Sequence, residues 1–388
     1  MTGNEEKTIY MDHHATTPAL PEVVEAMLPY FTRNFGNPAS STHEFGRVAC
    51  EAVDEARGRI AALIGANPAE IVFTSGATES NNLAVRGIAE ENRRRGNHIV
   101  TCAIEHHAIL DTCERLEEKG FRVTRLPVDR DGLVDPEAVK DAITPETILI
   151  SIQFANGEIG TIQPIEAIGK IANRRGVAFH CDAVQAVGRV KVDVRKCGID
   201  LMSISAHKMY GPKGIGALFL RAGIPITPQI TGGGQEGDIR SGTLNVPAIV
   251  GFGKACEIAR REEGKEAARQ GRLRDRLRRG LEAGIEAAAL SGHPERRLPN
   301  NLNFRFRWVD GEAIVQGVKG IALSTGSACS TGEKQASYVI RALGVPEEEA
   351  RGSVRFGLGR DNTEEEIDLV IEQVERAVRR LREMSPLP

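Results

Sequence analysis

Between about residue 20 and about residue 255, short apolar runs alternate with amphipathic stretches, and this alternation constrains the fold more than any other feature of the chain. A run of about four to eight apolar residues bounded by turn signals fits a strand buried on both faces, and such strands occur in parallel sheets covered by helices. The runs are EIVFTS near 70, HIVTCAI near 98, TILISIQFA near 147, VAFHCD near 177, DLMSIS near 200 and GIGALFL near 214, with stretches such as PIEAIGKIANRRG between them. The pattern predicts an α/β fold with a mainly parallel sheet. Several runs end in polar residues, and ligands of open α/β sheets sit beyond the carboxyl ends of the strands.

After about residue 255 the texture changes to a charged helical run, KACEIARREEGKEAARQGRLRDRLRRGLEAG, which reads as a solvated face around a narrow apolar stripe linking two lobes. At 388 residues the chain exceeds what one hydrophobic core usually serves. The division expected is an arm over 1–18 packing with the small domain, a large domain over 19–257 and a smaller α/β domain over 258–388. The last helix begins at Thr363, with Glu366 reaching back to it and Ile367, Val370, Ile371, Val374, Val378 and Leu381 on one face.

Fifty basic and fifty-three acidic residues leave a net charge of -3, which offers no footprint for nucleic acid or an anionic membrane. The polar start MTGNEEKTIY and the lack of about 18 consecutive apolar residues lead us to expect a cytoplasmic protein. The seven cysteines, at 50, 102, 113, 181, 197, 256 and 329, include no Cys-x-x-Cys pair and read as reduced thiols.

Three segments suggest a ligand. In SISAHKMYGPKGIGAL, Ser205, His207 and Lys208 end an apolar strand and enter a glycine-rich turn, where a covered lysine has the environment that a Schiff base requires. In HCDAVQAVG, Asp182 ends another such strand, with Gln185 three residues on. That carboxylate either caps the following helix or holds a protonated pyridine nitrogen, and its pairing with Lys208 favours the second role. In FTSGATESNN a strand meets Gly76, Ala77 and Thr78 before a helix, a turn whose amides and hydroxyl can cradle phosphate. The Lys208 segment is the most informative; the turn by itself is weak, and its weight comes from being the third element that one phosphorylated pyridine would need.

Together with YMDHHATTP, FGNPASSTH, QEGDIRSGTLN, STGSACS and SVRFGLGR, these elements resemble the cysteine desulfurases of the NifS/IscS family, from about Tyr10 to about Asp368. The family belongs to the class V aminotransferase group. The resemblance implies the type I PLP fold, a large PLP-binding domain with a mainly parallel sheet plus a smaller α/β C-terminal domain; the GSAC context is similar to the group I branch, which has the longer cysteine loop. By position it implies that Lys208 links to pyridoxal 5'-phosphate, Asp182 pairs with the pyridine nitrogen and Gln185 bonds the phenolic oxygen. Gly76, Ala77, Thr78, Ser205 and His207 would hold the phosphate. Thr243 in RSGT takes the place of a threonine that completes the partner subunit's phosphate cup, which implies a homodimer. His106 matches the histidine that stacks on the ring, although by its residues alone it reads as a helix-start or surface histidine no different from His107.

Arg355 matches the arginine that grips the substrate carboxylate, a task suited to a planar fork of donors, with Asn156 assisting. The segment ANGEIG carries Gly157 where many relatives have a second asparagine, a departure that bears on loop stiffness. His13 and His14 read as structural. The chain ends in SPLP without the tail by which some relatives hold a scaffold, so no particular scaffold carries over.

The implied reaction turns L-cysteine into L-alanine. Lys208 takes the Cα proton, His106 moves protons at the ring, and Cys329, as thiolate, receives the sulfur as a persulfide for iron-sulfur cluster assembly or another sulfur-transfer pathway. Cys329 is distinguished by small polar neighbours, whereas Cys102, Cys181 and Cys256 lie in apolar patterns and read as core. The implied partners are a sulfur acceptor or iron-sulfur scaffold protein. No resident metal is expected, with Cys329 serving at most as a transient iron-sulfur ligand beside a scaffold. Rival readings are a selenocysteine lyase or pathway-specific PLP sulfurtransferase, and, in a different class, a non-catalytic assembly platform.

Overall fold

A computed structural model of the chain describes residues 8–326 and 336–384. Among these the strands are, in chain order, β1 (Ile9–Tyr10), β2 (Ile71–Thr74), β3 (His98–Cys102), β4 (Arg122–Leu126), β5 (Thr147–Ser151), β6 (Ala178–Asp182), β7 (Leu201–Ser205), β8 (Gly216–Leu220), β9 (Ala288–Leu290), β10 (Asn301–Phe306), β11 (Ile321–Ala322) and β12 (Ser353–Gly357). The six apolar runs of the sequence are β2, β3 and β5 to β8.

Strands β2 to β8 form one seven-stranded sheet in the order β2-β8-β7-β6-β5-β3-β4. Only β8 runs against its neighbours, pairing antiparallel with both β2 and β7. Every residue of β3, β5, β7 and β8 is buried, as expected of strands covered on both faces. Strand β4 lies at the edge, and its sequence RVTRL keeps arginines outside and only Leu126 buried, so no apolar run announces it.

One face of the sheet carries a core that includes Phe73, Phe179, Phe219 and Phe252, and the other a core that includes Leu83, Ile88 and Leu149. A separate core gathers Ile9, Met11, Phe304, Phe306, Phe356, Ile367 and Val370 around the three-stranded sheet β12-β10-β9. The arm enters this second core through β1, which pairs parallel with β11.

The charged run is part of one helix, Val246–Gly284, of 39 residues. At 1.5 Å per residue it spans about 60 Å. Its first half buries Ile249, Phe252 and Cys256 in the core of the large sheet, and its second half buries Leu273, Leu277 and Leu281 in the separate core. The last helix runs from Glu364 to Met384, with the Thr363 hydroxyl accepting the Glu366 N–H at 3.3 Å, and it buries Ile367, Val370, Val374 and Val378. Among the described residues no helix is long and apolar enough to cross a membrane.

Candidate active site

The parallel strands all deliver their carboxyl ends to the same edge of the sheet. Beyond β2 come Ser75 to Thr78, beyond β3 Glu105 and His106, beyond β5 Gln153 and Asn156, at the end of β6 and after it Asp182 and Gln185, and at the end of β7 and after it Ser205 to Lys208. The inverted strand β8 brings its opposite end there, so Lys213 and Gly214 join them. All of these except the fully buried Glu105 and Ala206 line one cavity of about 600 Å³, a size suited to a small organic ligand. All the expected site residues except Thr243 and Cys329 border it. Thr243 is exposed and lies outside the cavity, and Cys329 lies outside the described residues.

Two features build the turn after β2. Gly76 has φ 155° and ψ 179°, and the helix Ala77–Glu91 follows with no side-chain cap, leaving first-turn amides for a ligand. Across the strand pair, a Cβ on Gly216 would come within 2.8 Å of the Gly76 backbone, so β8 can approach only through a glycine.

Asp182 is buried and tethered at both oxygens. Its Oδ2 accepts the Asn81 Nδ2–H at 2.7 Å and its Oδ1 accepts the Val184 N–H at 3.1 Å. The tether fixes the carboxylate as it faces the cavity. Lys208 reaches the arm, its Nζ donating to the carbonyls of His14 at 2.6 Å and Ala15 at 2.7 Å. The His207 Nδ1 lies 3.1 Å from the Thr16 hydroxyl, and burial and the neighbouring Lys208 and Lys213 charges push its imidazole down to about 4, so the ring is neutral.

His106 opens onto the cavity while protein atoms surround it on most other sides, and this burial lowers its pKa. Its Nδ1 accepts the Ala108 N–H at 3.1 Å as the cap of the helix His107–Glu117, which leaves the proton of the neutral ring on Nε2. His107 instead faces Asp111 and Tyr338. Beneath His106, Glu105 is completely buried; its Oε1 accepts from Gln153 N at 2.7 Å and from the Cys102 thiol at 3.1 Å. Burial pushes the Glu105 carboxyl up to about 8.

Opposite the strand ends, the cavity is closed by residues from distant stretches. Arg355, in the middle of β12, is 6% exposed, and its Nη2 makes an ion pair with Asp12 at 2.8 Å. Its Nη1 also faces the Gly157 carbonyl at 3.4 Å, while its Nε has no partner among the described residues. The Asn156 Oδ1 accepts the N–H groups of Glu158 at 2.8 Å and Ile159 at 3.0 Å, and its Nδ2 donates to Ile104 O. Asn156 therefore pins its own turn. Buried Arg297 braces that turn from behind, donating to the carbonyls of Ile159 at 3.1 Å and Asn301 at 3.2 Å.

His14, read from the sequence as structural, lines the cavity. Its Nδ1 is 2.9 Å from Gln185 Oε1, and Gln185 Nε2 donates back to His14 O at 3.2 Å. An amide oxygen can only accept, so Nδ1 carries the proton, and Nε2 is a buried acceptor without a partner among the described residues. Gly157 makes room for this pair: a Cβ there would come within 2.8 Å of Gln185 Nε2. Its departure from the commoner pattern thus bears on the placement of Gln185.

Reading the sequence passed over Asp12, Asn81, Glu105 and Glu158. Asp12 and Glu158 stand inside the quoted motifs YMDHHATTP and ANGEIG, so a signal was present. As expected, Cys102, Cys181 and Cys256 are fully buried.

The family model described as aminotransferase class-V matches residues 9–370. Over 381 residues the chain is 54% identical to the protein named cysteine desulfurase IscS of Anaeromyxobacter dehalogenans (strain 2CP-C), covering 98% of this chain and 94% of the relative. It is 52% identical to the protein of the same name from Methanosarcina thermophila, covering 99% of this chain and 95% of the relative. Among solved structures, a NifS-like protein superposes with a TM-score of 0.90 at 38% identity, covering 96% of this chain and 99% of that one. SspA in complex with cysteine superposes with a TM-score of 0.81 at 38% identity, covering 90% and 99%. With its fold and nearly its whole length matched in this way, the chain belongs to the class-V aminotransferases and, within them, to the cysteine desulfurases of the NifS/IscS family.

Proposed function

We propose that the chain removes sulfur from L-cysteine, releasing L-alanine, with pyridoxal 5'-phosphate held at Lys208 and the sulfur passed to Cys329. The observation that carries this reading is the convergence of Lys208, Asp182, His106 and Arg355 on one cavity.

The residues fit a phosphorylated pyridine. The amides of Ala77 and Thr78, with the Thr78, Ser205 and His207 side chains, would hold the phosphate. Asp182 would face the ring nitrogen and His106 the ring. Four buried polar atoms of cavity residues, His14 Nε2, Asn81 Oδ1, Glu158 Oε1 and Arg355 Nε, have no partner among the described residues, which suits a site made for a polar ligand. When bound, the cofactor supplies an electron sink for charge developing at the substrate Cα.

The chain's own groups perform the rest. Arg355 grips the substrate carboxylate, and the Asp12 ion pair holds its fork toward the cavity. The Lys208 amine takes the Cα proton, and His106 Nε2 donates its proton within the cavity. The Cys329 thiolate then forms a bond to the cysteine sulfur as the carbon-sulfur bond breaks; the electron pair of that bond stays with the carbon fragment, which takes up a proton and leaves as alanine. Cys329 is left carrying the persulfide for an acceptor or iron-sulfur scaffold protein. Thiolate chemistry of this kind belongs to a reducing compartment, and we place the chain in the cytoplasm.

We also read the chain as a homodimer with shared sites and with domains over 19–257 and 258–388. Leu28, Phe31, Phe35 and Phe45 are between 53% and 64% exposed within one short stretch, an apolar surface suited to a second copy. Exposed Thr243 would serve the partner's phosphate site. The deciding experiment measures alanine and sulfide from cysteine beside selenocysteine, and maps the trapped persulfide by peptide. Extra sulfur on any cysteine other than Cys329 would sink the relay, and faster turnover of selenocysteine would reassign the substrate.

A further inference from the structure

Glu158 is a buried carboxyl that the mechanism does not use. The residue is 5% exposed, its Oε1 has no partner among the described residues, and burial pushes the carboxyl up to about 7. Its backbone is held from several sides. Its N–H goes to Asn156 Oδ1 at 2.8 Å, and Asn301 Nδ2 donates to the carbonyls of Gly157 at 3.2 Å and of Glu158 itself at 3.3 Å. The side chain therefore has a fixed origin.

What it faces is informative. Gly326, at φ +131°, packs so closely on the carboxyl that a Cβ there would lie 2.6 Å from Oε1 and 2.7 Å from Cδ. The Ser337 side chain neighbours the same carboxyl and favours its charged form, and its hydroxyl caps the helix Tyr338–Ala342 by accepting from Val339 N at 3.1 Å. In the sequence Gly326 and Ser337 flank the stretch that carries Cys329. Arg355 of β12 and Tyr338 are the charged and titratable groups that face the carboxyl. One side chain of the cavity thus touches a residue on each side of the sulfur-accepting cysteine.

We infer that Glu158 is a positioning residue for sulfur transfer: it anchors Gly326 and Ser337 to the turn of Asn156 and so sets the two points between which Cys329 is strung. Glu158 itself exchanges no atom with substrate. The inference rests on the proposed desulfurase reading for its consequence in turnover, while the anchoring has a signature of its own.

The test compares holoenzyme carrying Glu158→Ala or Glu158→Gln with the parent. Single-turnover persulfide formation on Cys329 should fall at least tenfold in Glu158→Ala. Exchange of the Cα proton of L-alanine in D2O, which needs Lys208 and Arg355 but no thiol, should stay within twofold. Glu158→Gln keeps the shape and an acceptor for Ser337, so it should retain more than a third of the parent rate and remain available if the alanine variant misfolds. Without substrate, alkylation of Cys329 should change at least threefold in Glu158→Ala, while exposed Cys50 reacts as before. An unchanged alkylation ratio, or parallel losses in persulfide formation and alanine exchange, would overturn the anchoring. A parent enzyme that places no sulfur on Cys329 while the alkylation ratio still moves would instead overturn the desulfurase reading and leave the anchoring standing.

Discussion

The cavity has two walls, and they are assembled differently. The wall of strand ends carries Asp182, the last residue of β6, and Gly76, His106 and Lys208, each two to four residues beyond a strand of the same sheet, so backbone pairing sets their spacing. The opposite wall brings Asp12, Gly157, Glu158 and Arg355 together from the arm, a turn after β5 and a strand of the separate three-stranded sheet, held by an ion pair and side-chain hydrogen bonds. The first wall inherits its precision from the ladder. The second depends on polar contacts that single substitutions can loosen, so the two should fail in different ways.

The largest effect is expected on the first wall. In the proposed reaction one amine both holds the cofactor and moves the Cα proton, so Lys208→Ala should lower turnover on the order of 10⁴-fold. Because the phosphate cup and Asp182 do not depend on that amine, some cofactor should still bind without a covalent link. Borohydride reduction checks the assignment, and cofactor fixed to a peptide lacking Lys208 in the parent enzyme would refute it.

On the second wall, Arg355→Lys keeps the charge but loses the two-pronged fork. A cost of about 1.5–3 kcal/mol corresponds to roughly a tenfold to hundredfold rise in KM for cysteine, with alanine still produced at saturation. A fall in kcat with unchanged KM would place Arg355 in the chemistry rather than in binding.

Asp12 separates orientation from charge. Asp12→Ala removes the partner of Arg355 Nη2 and should lower kcat/KM about tenfold, whereas Asp12→Asn retains the Oδ1 acceptor and should lose less than about threefold. Equal losses would mean that the carboxylate charge is what matters.

The smallest expected effect is on stability, and it returns to the first wall. The Glu105 carboxyl is raised from 4.5 to about 8, so between those values the folded protein holds a proton that the unfolded chain has lost. The resulting stability is fully present below the unfolded value and is lost as pH rises through about 8. Glu158, raised to about 7, acts with the same sign over a lower window. Between pH 7 and 8.5 the parent should therefore lose about 2 °C more in Tm than Glu105→Gln, given about 1.4 kcal/mol per pH unit for one proton. An equal decline in both proteins would show that Glu105 is ionised in the fold.

The first wall was largely legible in advance. Lys208, Asp182 and the Gly76 turn were found because an apolar run that stops at a polar residue advertises the end of a buried strand. Strand β4 escaped for the opposite reason, since an edge strand with exposed arginines leaves no such run. The second wall was legible only as motifs. YMDHHATTP and ANGEIG were recognised, but which of their side chains would meet was not, and His14 was read as structural although it holds Gln185 at the cavity.

The sequence by itself determined the alternation of strand and helix, the strand ends that carry chemistry and the family resemblance, because these depend on residues close together in the chain. Only the tertiary structure decided that Asp12 meets Arg355, that Glu158 meets both Gly326 and Ser337, and that Glu105 is buried enough to keep its proton at neutral pH. Charge state and pairing depend on what surrounds a group after distant segments pack, and no local pattern encodes that environment.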